Sequence, residues 1–342
     1  MRTLIKLLGG FLLKRATSYY SLSQSMYKGP GIKELGTHAE SQESRVQHIF
    51  SDRTILRKSS RRVIYEINNA TLNPKTGLTF WNQHLISESS SWPPERILLN
   101  PELWAPKRPR EKLSGAWISL PSTPYYHWLM EDLPAALAAH RVSPHSGFLV
   151  SKDSQSFVFD FLKIGGYKHH LAGSRYLKVE TLILCDKQNI IGTPQIRDIE
   201  TLRRCGEILP ENSTQKGKRI YISRLNSSRS PKFEIELVVE LRNLGFEILH
   251  LEKIPWDEQV AIFKASSQIV GIHGAGLSNA VFCKPGSTII EIMDTRYPNN
   301  CFELLASNSE LRYHRILTDE GHSGESQLQI ILDEINTLFE GS

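Results

Sequence analysis

From residue 115 onward, short apolar runs bounded by glycine or charge alternate with longer stretches whose apolar positions repeat at helical spacing. The runs at 115–120, 148–151, 176–179 and 181–185 predict strands, and 126–141 and 157–163 predict the helices between them. Alternation of this kind implies parallel pairing through crossover helices. This pattern ends near Pro194; a helix is expected over 196–209, and 210–218, without an apolar residue, reads as a linker. The pattern then repeats with strands at 219–223, 246–251, 269–272, 288–292 and 313–317. The intervening helices are expected at 232–244, 256–266 and 300–307, and a terminal one at 326–339. In the first of these, Ile235, Val238, Val239 and Leu241 supply the expected apolar face, and Gly245 caps it. Before residue 115 the signal is weaker. Residues 61–67 and 79–81 suggest short strands joined by a turn at 73–77; 18–47 is polar and Ser-rich, and 91–110, with five prolines, reads as irregular connection. The chain therefore divides into 1–50, 51–210, 211–325 and 326–342, two α/β domains between an amino-terminal segment and a terminal helix.

Chemistry concentrates at two places. In the second domain, the apolar run 269–272 enters His273-Gly274-Ala275-Gly276-Leu277-Ser278-Asn279, and a second run, 288–292, carries Glu291 near its end. A strand leading through a glycine-rich turn into a helix leaves backbone N–H groups free to bind an anion, usually phosphate. An acid at the carboxyl edge of the next strand can accept from a ribose. Arg224 ends the strand at 219–223 and Arg229 follows in a Ser/Asn-rich loop; arginines placed so can clamp a diphosphate, with Lys232 behind them. In the first domain, His127 and Glu131 share one helical face, where a carboxylate can hold a histidine as a general base. Asp132 is the rival acid, and Tyr125, Tyr126 and Trp128 suit either sugar stacking or the core.

These motifs together resemble glycosyltransferase family 61. The resemblance rests on Ile220-Tyr221-Ile222-Ser223-Arg224, Gly245-Phe246, His273 to Asn279, Pro285-Gly286 and Glu291, with Tyr125-Tyr126-His127-Trp128-Leu129-Met130-Glu131 upstream. It covers roughly 115–292 and is most specific in its second half. Two departures from the family pattern stand out: Thr123 and Pro124 stand where it tends to have asparagine, and Ala135 where it often has arginine. The family includes capsular-polysaccharide enzymes, plant xylosyl- and arabinosyltransferases and protein O-GlcNAc transferases. The resemblance implies an α/β fold of the GT-B type, two Rossmann-like domains facing across a cleft, with the terminal helix returning to the first domain. It implies an inverting transfer from a nucleotide sugar, UDP-linked, to a glycan or polysaccharide hydroxyl. Donor contacts then fall to Arg224, Arg229, His273, Gly274, Ala275, Gly276, Leu277, Asn279 and Glu291, and proton transfer to His127, Glu131 or Asp132. No Asp-x-Asp stands at a strand end, so arginine and helix dipole are expected to stabilise the leaving group with neither metal nor cofactor.

Composition narrows the picture further. Lys and Arg number 41 against 36 Asp and Glu, a net +5, too mild for a nucleic-acid binder. Cys185, Cys205, Cys283 and Cys301 show no metal or redox spacing, and a reducing compartment is expected. The three glycosylation triplets, at Asn69, Asn212 and Asn226, are discounted. At the amino terminus, Leu4, Leu8, Phe11 and Leu12 share a helical face flanked by Lys6, Lys14 and Arg15, so residues 1–15 are expected to contact a membrane surface peripherally. The expected location is cytoplasmic and membrane-associated in a bacterium, or the secretory lumen in a eukaryote. Two other functions fit part of the chain. Gly276-Leu277-Ser278-Asn279-Ala280 is one residue from the nucleophile elbow of an α/β-hydrolase, with Ser278 as nucleophile, though its elbow and oxyanion sequences overlap. A non-catalytic sugar-nucleotide-binding relative is the other. A dinucleotide oxidoreductase fails on spacing, since Gly271, Gly274 and Gly276 run GxxGxG.

Overall fold

The computed structural model describes residues 62–82, 84–92, 97, 109, 111–187, 192–209, 217–227, 230–319 and 324–340, with short strands at 19–20, 32–38, 45–47 and 54–56. These residues form two compact units, one within 1–42 and 58–192, the other within 43–57 and 193–342. The amino-terminal residues 1–15 and Arg229 lie outside the described residues. No described helix is long and apolar enough to cross a membrane.

The first unit contains β1 (Tyr19–Tyr20), β2 (Ile32–His38), β5 (Arg62–Leu72), β6 (Thr79–Trp81), β7 (His84–Ile86), β8 (Glu111–Ser119), β9 (Gly147–Ser151), β10 (His169–Ala172) and β11 (Leu177–Cys185). A hairpin of β3 (Arg45–Gln47) and β4 (Thr54–Leu56) groups with the second unit. The sheet order is β1-β7-β6-β5-β11-β8-β9-β10, with β2 on β5. Strands β8, β9, β10 and β11 are parallel, as the alternation requires, but β5 runs antiparallel along the whole of β11. The sheet is therefore mixed, not the wholly parallel sheet the sequence implies. Its extension is built by β5, in which buried Ile64, Tyr65, Ile67, Ala70 and Leu72 supply the core residues. The two runs at 176–179 and 181–185 are one strand, β11, with a register shift against β8 between Val179 and Thr181.

The second unit is regular. It holds β12 (Lys218–Ile222), β13 (Glu247–Leu249), β14 (Ser266–Ile272), β15 (Thr288–Asp294) and β16 (Arg312–Thr318), all parallel, in the order β13-β12-β14-β15-β16. Its core joins Tyr221, Val270, Ile290, Ile292 and Ile316 from the strands to the helices Glu234–Asn243 and Gly324–Glu340. The terminal helix contributes buried Ile331 and Ile335 to that core. The helix Ile196–Glu207 also belongs here rather than to the first domain: the Arg203 guanidinium donates to the carbonyls of Val281, Cys283 and Ser309. The boundary accordingly falls at 192/193, ahead of the linker read at 210–218. On the helix Glu234–Asn243, Leu237, Val238 and Leu241 face inward while Ile235 and Val239 are exposed, which corrects the apolar face expected there. All four cysteines are free thiols; burial pushes the Cys205 thiol up to about 11.

Candidate active site

In the first unit the site begins where β8 ends. After Pro124 the chain runs through α1 (Tyr125–His127), a π turn (Trp128–Asp132) and α2 (Leu133–Val142) as one continuous helical segment. Pro134 explains the π turn. Proline has no N–H to give to the carbonyl four residues back, Met130, and its ring would crowd that carbonyl in an unbroken α-helix; a wider turn relieves both. Trp128 is fully buried, packed on Phe157 with ring centroids 4.6 Å apart, and so is core rather than a sugar platform. Across the turn, His127 Nδ1–H donates to Glu131 Oε1 at 2.9 Å. Glu131 is 2% exposed and His127 side chain 27%. The same carboxylate also accepts from the Ser91 hydroxyl and, at 3.0 Å, from the Gly192 N–H. With Nδ1 engaged, Nε2 is the ring nitrogen left to take a proton. The hydrogen bond to Glu131 raises the His127 pKa above the ordinary histidine value, against the opposing pull of burial.

Asp132 points into a different set of partners. It is 4% exposed and accepts from Lys187 Nζ at 2.7 Å and from Thr123 Oγ1 at 2.6 Å. Burial raises its pKa, and Lys187 opposes that shift. Asp132 therefore anchors the segment to the end of β11 and is not an open proton acceptor. Thr123, one of the departures from the family pattern, is what holds it. The partners Ser91, Gly192 and Lys187 were not legible in the sequence, because each comes from a segment distant in the chain and carries no motif.

In the second unit, reading strands in chain order, the sheet runs 2-1-3-4-5. Such sheets bind ligands outside their carboxyl ends where the order reverses, between strands one and three. Those strands are β12 and β14, and Arg224 and His273 follow their carboxyl ends. The Arg224 guanidinium donates to the His273 carbonyl and to Ser227 Oγ at 3.4 Å. It also lies against Gly274, where an added Cβ would come within 3.2 Å of Nη1. Glycine is needed at 274 for that close approach, not for its backbone angle, which is extended (φ 177°). Glu234, fully buried in the first turn of its helix, fixes the loop that carries Arg224. It accepts from the Arg224 N–H, Tyr221 Oη (3.1 Å), Ser223 Oγ (3.2 Å) and Ser230 Oγ (2.6 Å). The sequence signal for it was an acid at the start of a helix, where the dipole favours a negative charge.

A cavity of about 640 Å³ opens at this edge, lined among others by Arg224, Lys232, His273, Asp294, Arg296 and Asp319. Within it His273 repeats the first unit's arrangement. Its Nδ1–H donates to Glu291, which is wholly buried, while the imidazole keeps 28% exposure. Glu291 also accepts from the Tyr313 hydroxyl. Both carboxylate oxygens are thus taken, and the side chain has no exposed surface for a ribose, which corrects the role expected of it. The turn Gly274–Asn279 contributes differently along its length. It forms a 3₁₀ helix (Ala275–Phe282) in which Ala275 is exposed, while Leu277, Ser278 and Asn279 are buried. Leu277 packs towards Gly271, and Asn279 Nδ2 donates to Gln259 Oε1 at 2.9 Å, so neither faces a ligand. Gly276 lets Leu251 and Ile222 close in, with a Cβ there only 2.8 Å from Leu251 Cδ1. Ser278 is 0% exposed and donates to the Ala275 carbonyl at 2.5 Å, an arrangement unlike an exposed nucleophile and against the hydrolase reading. Among the described residues no three metal-ligating side chains converge.

The switch-point cavity of the second unit, carried with a second α/β unit whose helix holds an oriented histidine, places the chain in the class of proteins with two Rossmann-like units. Comparison with known proteins gives the family. The family model described as Glycosyltransferase 61 matches residues 125–290, just under half of the chain and reaching from the His127 segment to the core of β15, and this stretch is that of a glycosyltransferase of family 61. It is similar to the EGF domain-specific O-linked N-acetylglucosamine transferase of Drosophila melanogaster, 32% identical over 121 residues, covering 32% of this chain and 23% of that protein. It is also similar to the beta-1,2-xylosyltransferase of Arabidopsis thaliana, 40% identical over 57 residues, covering 17% of this chain and 11% of that one. A third relative is the beta-1,2-xylosyltransferase RCN11 of Oryza sativa subsp. japonica, 26% identical over 84 residues, with 25% and 15% covered. The chain thus spans less than a quarter of the length of each of these relatives.

Proposed function

We propose that this chain transfers a sugar from a UDP-linked donor to a glycan hydroxyl with inversion at the anomeric carbon. The observation that carries the reading is the meeting of Arg224 and His273 at the strand-order reversal of the second unit's sheet, on the wall of a nucleotide-sized cavity. Arg224 and Lys232 hold the donor's diphosphate, and the His273 imidazole, its Nδ1–H given to Glu291, presents Nε2 to the donor as an acceptor. Fixed cations such as Arg224 and Lys232 stabilise the charge that builds on the leaving phosphate. The first unit supplies the acceptor half. His127, with Glu131 on Nδ1, takes the acceptor proton at Nε2 as the hydroxyl oxygen attacks C1 and the bond to the departing UDP breaks. Single displacement by an activated hydroxyl inverts the centre. Glu131 and Asp132 are too enclosed to serve as the base themselves. The names of the relatives, an N-acetylglucosamine transferase and two xylosyltransferases, support a sugar donor and leave its identity to experiment.

The test is a panel of UDP-sugars incubated with mixed glycan acceptors, followed by UDP release. Wild type is expected to release UDP with at least one pair, with the product linkage inverted by NMR, and His127→Ala to lose roughly 10²–10⁴-fold in rate. Retention of anomeric configuration, or full turnover by His127→Ala, would sink the mechanism.

A further inference from the structure

Behind His273 the structure carries a chain of polar contacts that crosses three strands. The Tyr313 hydroxyl on β16 donates to Glu291 on β15, which accepts from His273 after β14. Arg315 Nε donates to Tyr313 Oη at 2.9 Å, and Arg315 Nη2 donates to Glu303 at 3.1 Å, an acid on the helix Cys301–Asn308. Phe302, on the same helix, packs edge-on to the imidazole with centroids 5.3 Å apart. Phe302, Glu303, Tyr313 and Arg315 all lie beyond residue 290, where the family match ends.

From this arrangement we infer that Tyr313 is a positioning residue for nucleotide binding, acting through Glu291 to fix the tautomer and direction of His273. The inference rests on the donor-site reading above for its consequence, but its geometry stands apart from it. A carboxylate buried without exposure needs its lone pairs satisfied. Tyr313 fills one oxygen, so the other is free to hold the imidazole Nδ1–H and nothing else, and Nε2 is left for the cavity that His273 lines. Arg315 sharpens the device: a cation donating to the phenol oxygen makes its O–H a stronger donor to Glu291. Burial, with Glu291 next, pushes the Tyr313 phenol well above its ordinary range, so it remains a donor at any working pH. The other charged groups on the wall of the cavity that His273 lines are Arg224, which holds its carbonyl, Lys232, Asp294, Arg296 and Asp319. The partner of the imidazole nitrogens in this arrangement is Glu291, on Nδ1.

The test uses Tyr313→Phe, which removes one oxygen and keeps the ring. Imidazole ¹⁵N NMR of the ligand-free protein reads His273 directly, with His127 as an internal control. With the phenol gone, one Glu291 oxygen loses its donor and the carboxylate can turn, so the imidazole is no longer held in one tautomer and direction. The His273 ring ¹⁵N shifts and tautomer should then change while those of His127 stay in place. UDP affinity should fall on the order of tenfold, the effect of losing one charge-assisted hydrogen bond. Arg315→Met should shift His273 in the same direction by less, and it serves as the second variant if Tyr313→Phe folds poorly. Unchanged His273 ring ¹⁵N shifts and tautomer in both variants would overturn the inference. If wild type fails to bind UDP while the NMR shift appears, the positioning device stands and the donor reading falls.

Discussion

At the scale of single residues, the two histidines are built alike. Each gives Nδ1–H to a carboxylate that is nearly or wholly buried, and each keeps about a quarter of its side chain exposed. For His127 the consequence is a pH dependence of definite sign. A base must be unprotonated, and the Glu131 hydrogen bond raises the pKa of His127, so activity should fall as pH drops through a value above the ordinary histidine one. Glu131→Gln removes the charge, and the acid limb of the kcat/KM profile should move down in pH while the maximal rate falls. A limb unmoved by Glu131→Gln would mean that another group titrates. Gly274→Ala makes a separate prediction. Its Cβ would crowd the Arg224 guanidinium at 3.2 Å without backbone strain, so UDP affinity should weaken several-fold, the cost of one displaced polar contact of about 1 kcal/mol, with the melting temperature little changed. Titration calorimetry and a melting curve on the same sample decide it. The His–Glu spacing at 127 and 131 was legible because both partners lie one helical turn apart. The His273–Glu291 pair was not, since strand register, not sequence distance, brings them together. Glu291 was read as closing its strand and holding a ribose, whereas β15 runs on to Asp294 and the Tyr313 hydroxyl that fills its other oxygen comes from the neighbouring strand.

At the scale of elements, the π turn is held from below by Asp132 and Lys187. Removing Lys187 strands a buried carboxylate. Lys187→Met should cost roughly 3–5 kcal/mol, a drop on the order of 10 °C in the first unit's melting transition. The sign with pH follows from Asp132, whose folded pKa is raised by burial and would rise further without Lys187. The folded state then binds a proton that the unfolded one releases, so the loss should be largest near neutrality and shrink as the pH falls towards that of an ordinary carboxylate. A loss independent of pH would place the damage elsewhere. The elements legible in advance were those with both faces covered, such as β14 and β15, whose apolar runs are continuous. β10 was missed because it is an edge strand with exposed and half-exposed polar residues, His169 and His170 among them. The outward Ile235 and Val239 misled the helical face in the opposite way, being apolar without being buried.

At the scale of the whole molecule, two α/β units with separate cores account for the repeating pattern in the sequence. What the pattern could not carry was the assignment of connecting pieces. The helix Ile196–Glu207 follows the first unit in the chain yet packs with the second through Arg203, and the hairpin of β3 and β4 does the same from further upstream. The antiparallel addition of β5 was equally hidden, because alternating patterns record burial and not strand direction. The central claim is a division of labour: the second unit binds the nucleotide and the first supplies the base. The most direct test is calorimetric titration of UDP into wild type, Arg224→Ala and His127→Ala. The account predicts binding by wild type, the same affinity in His127→Ala, and a loss of tenfold or more in Arg224→Ala, as expected for a charge-assisted phosphate contact worth at least about 1.4 kcal/mol. Binding that is absent in wild type, or unaffected by Arg224→Ala, would contradict it.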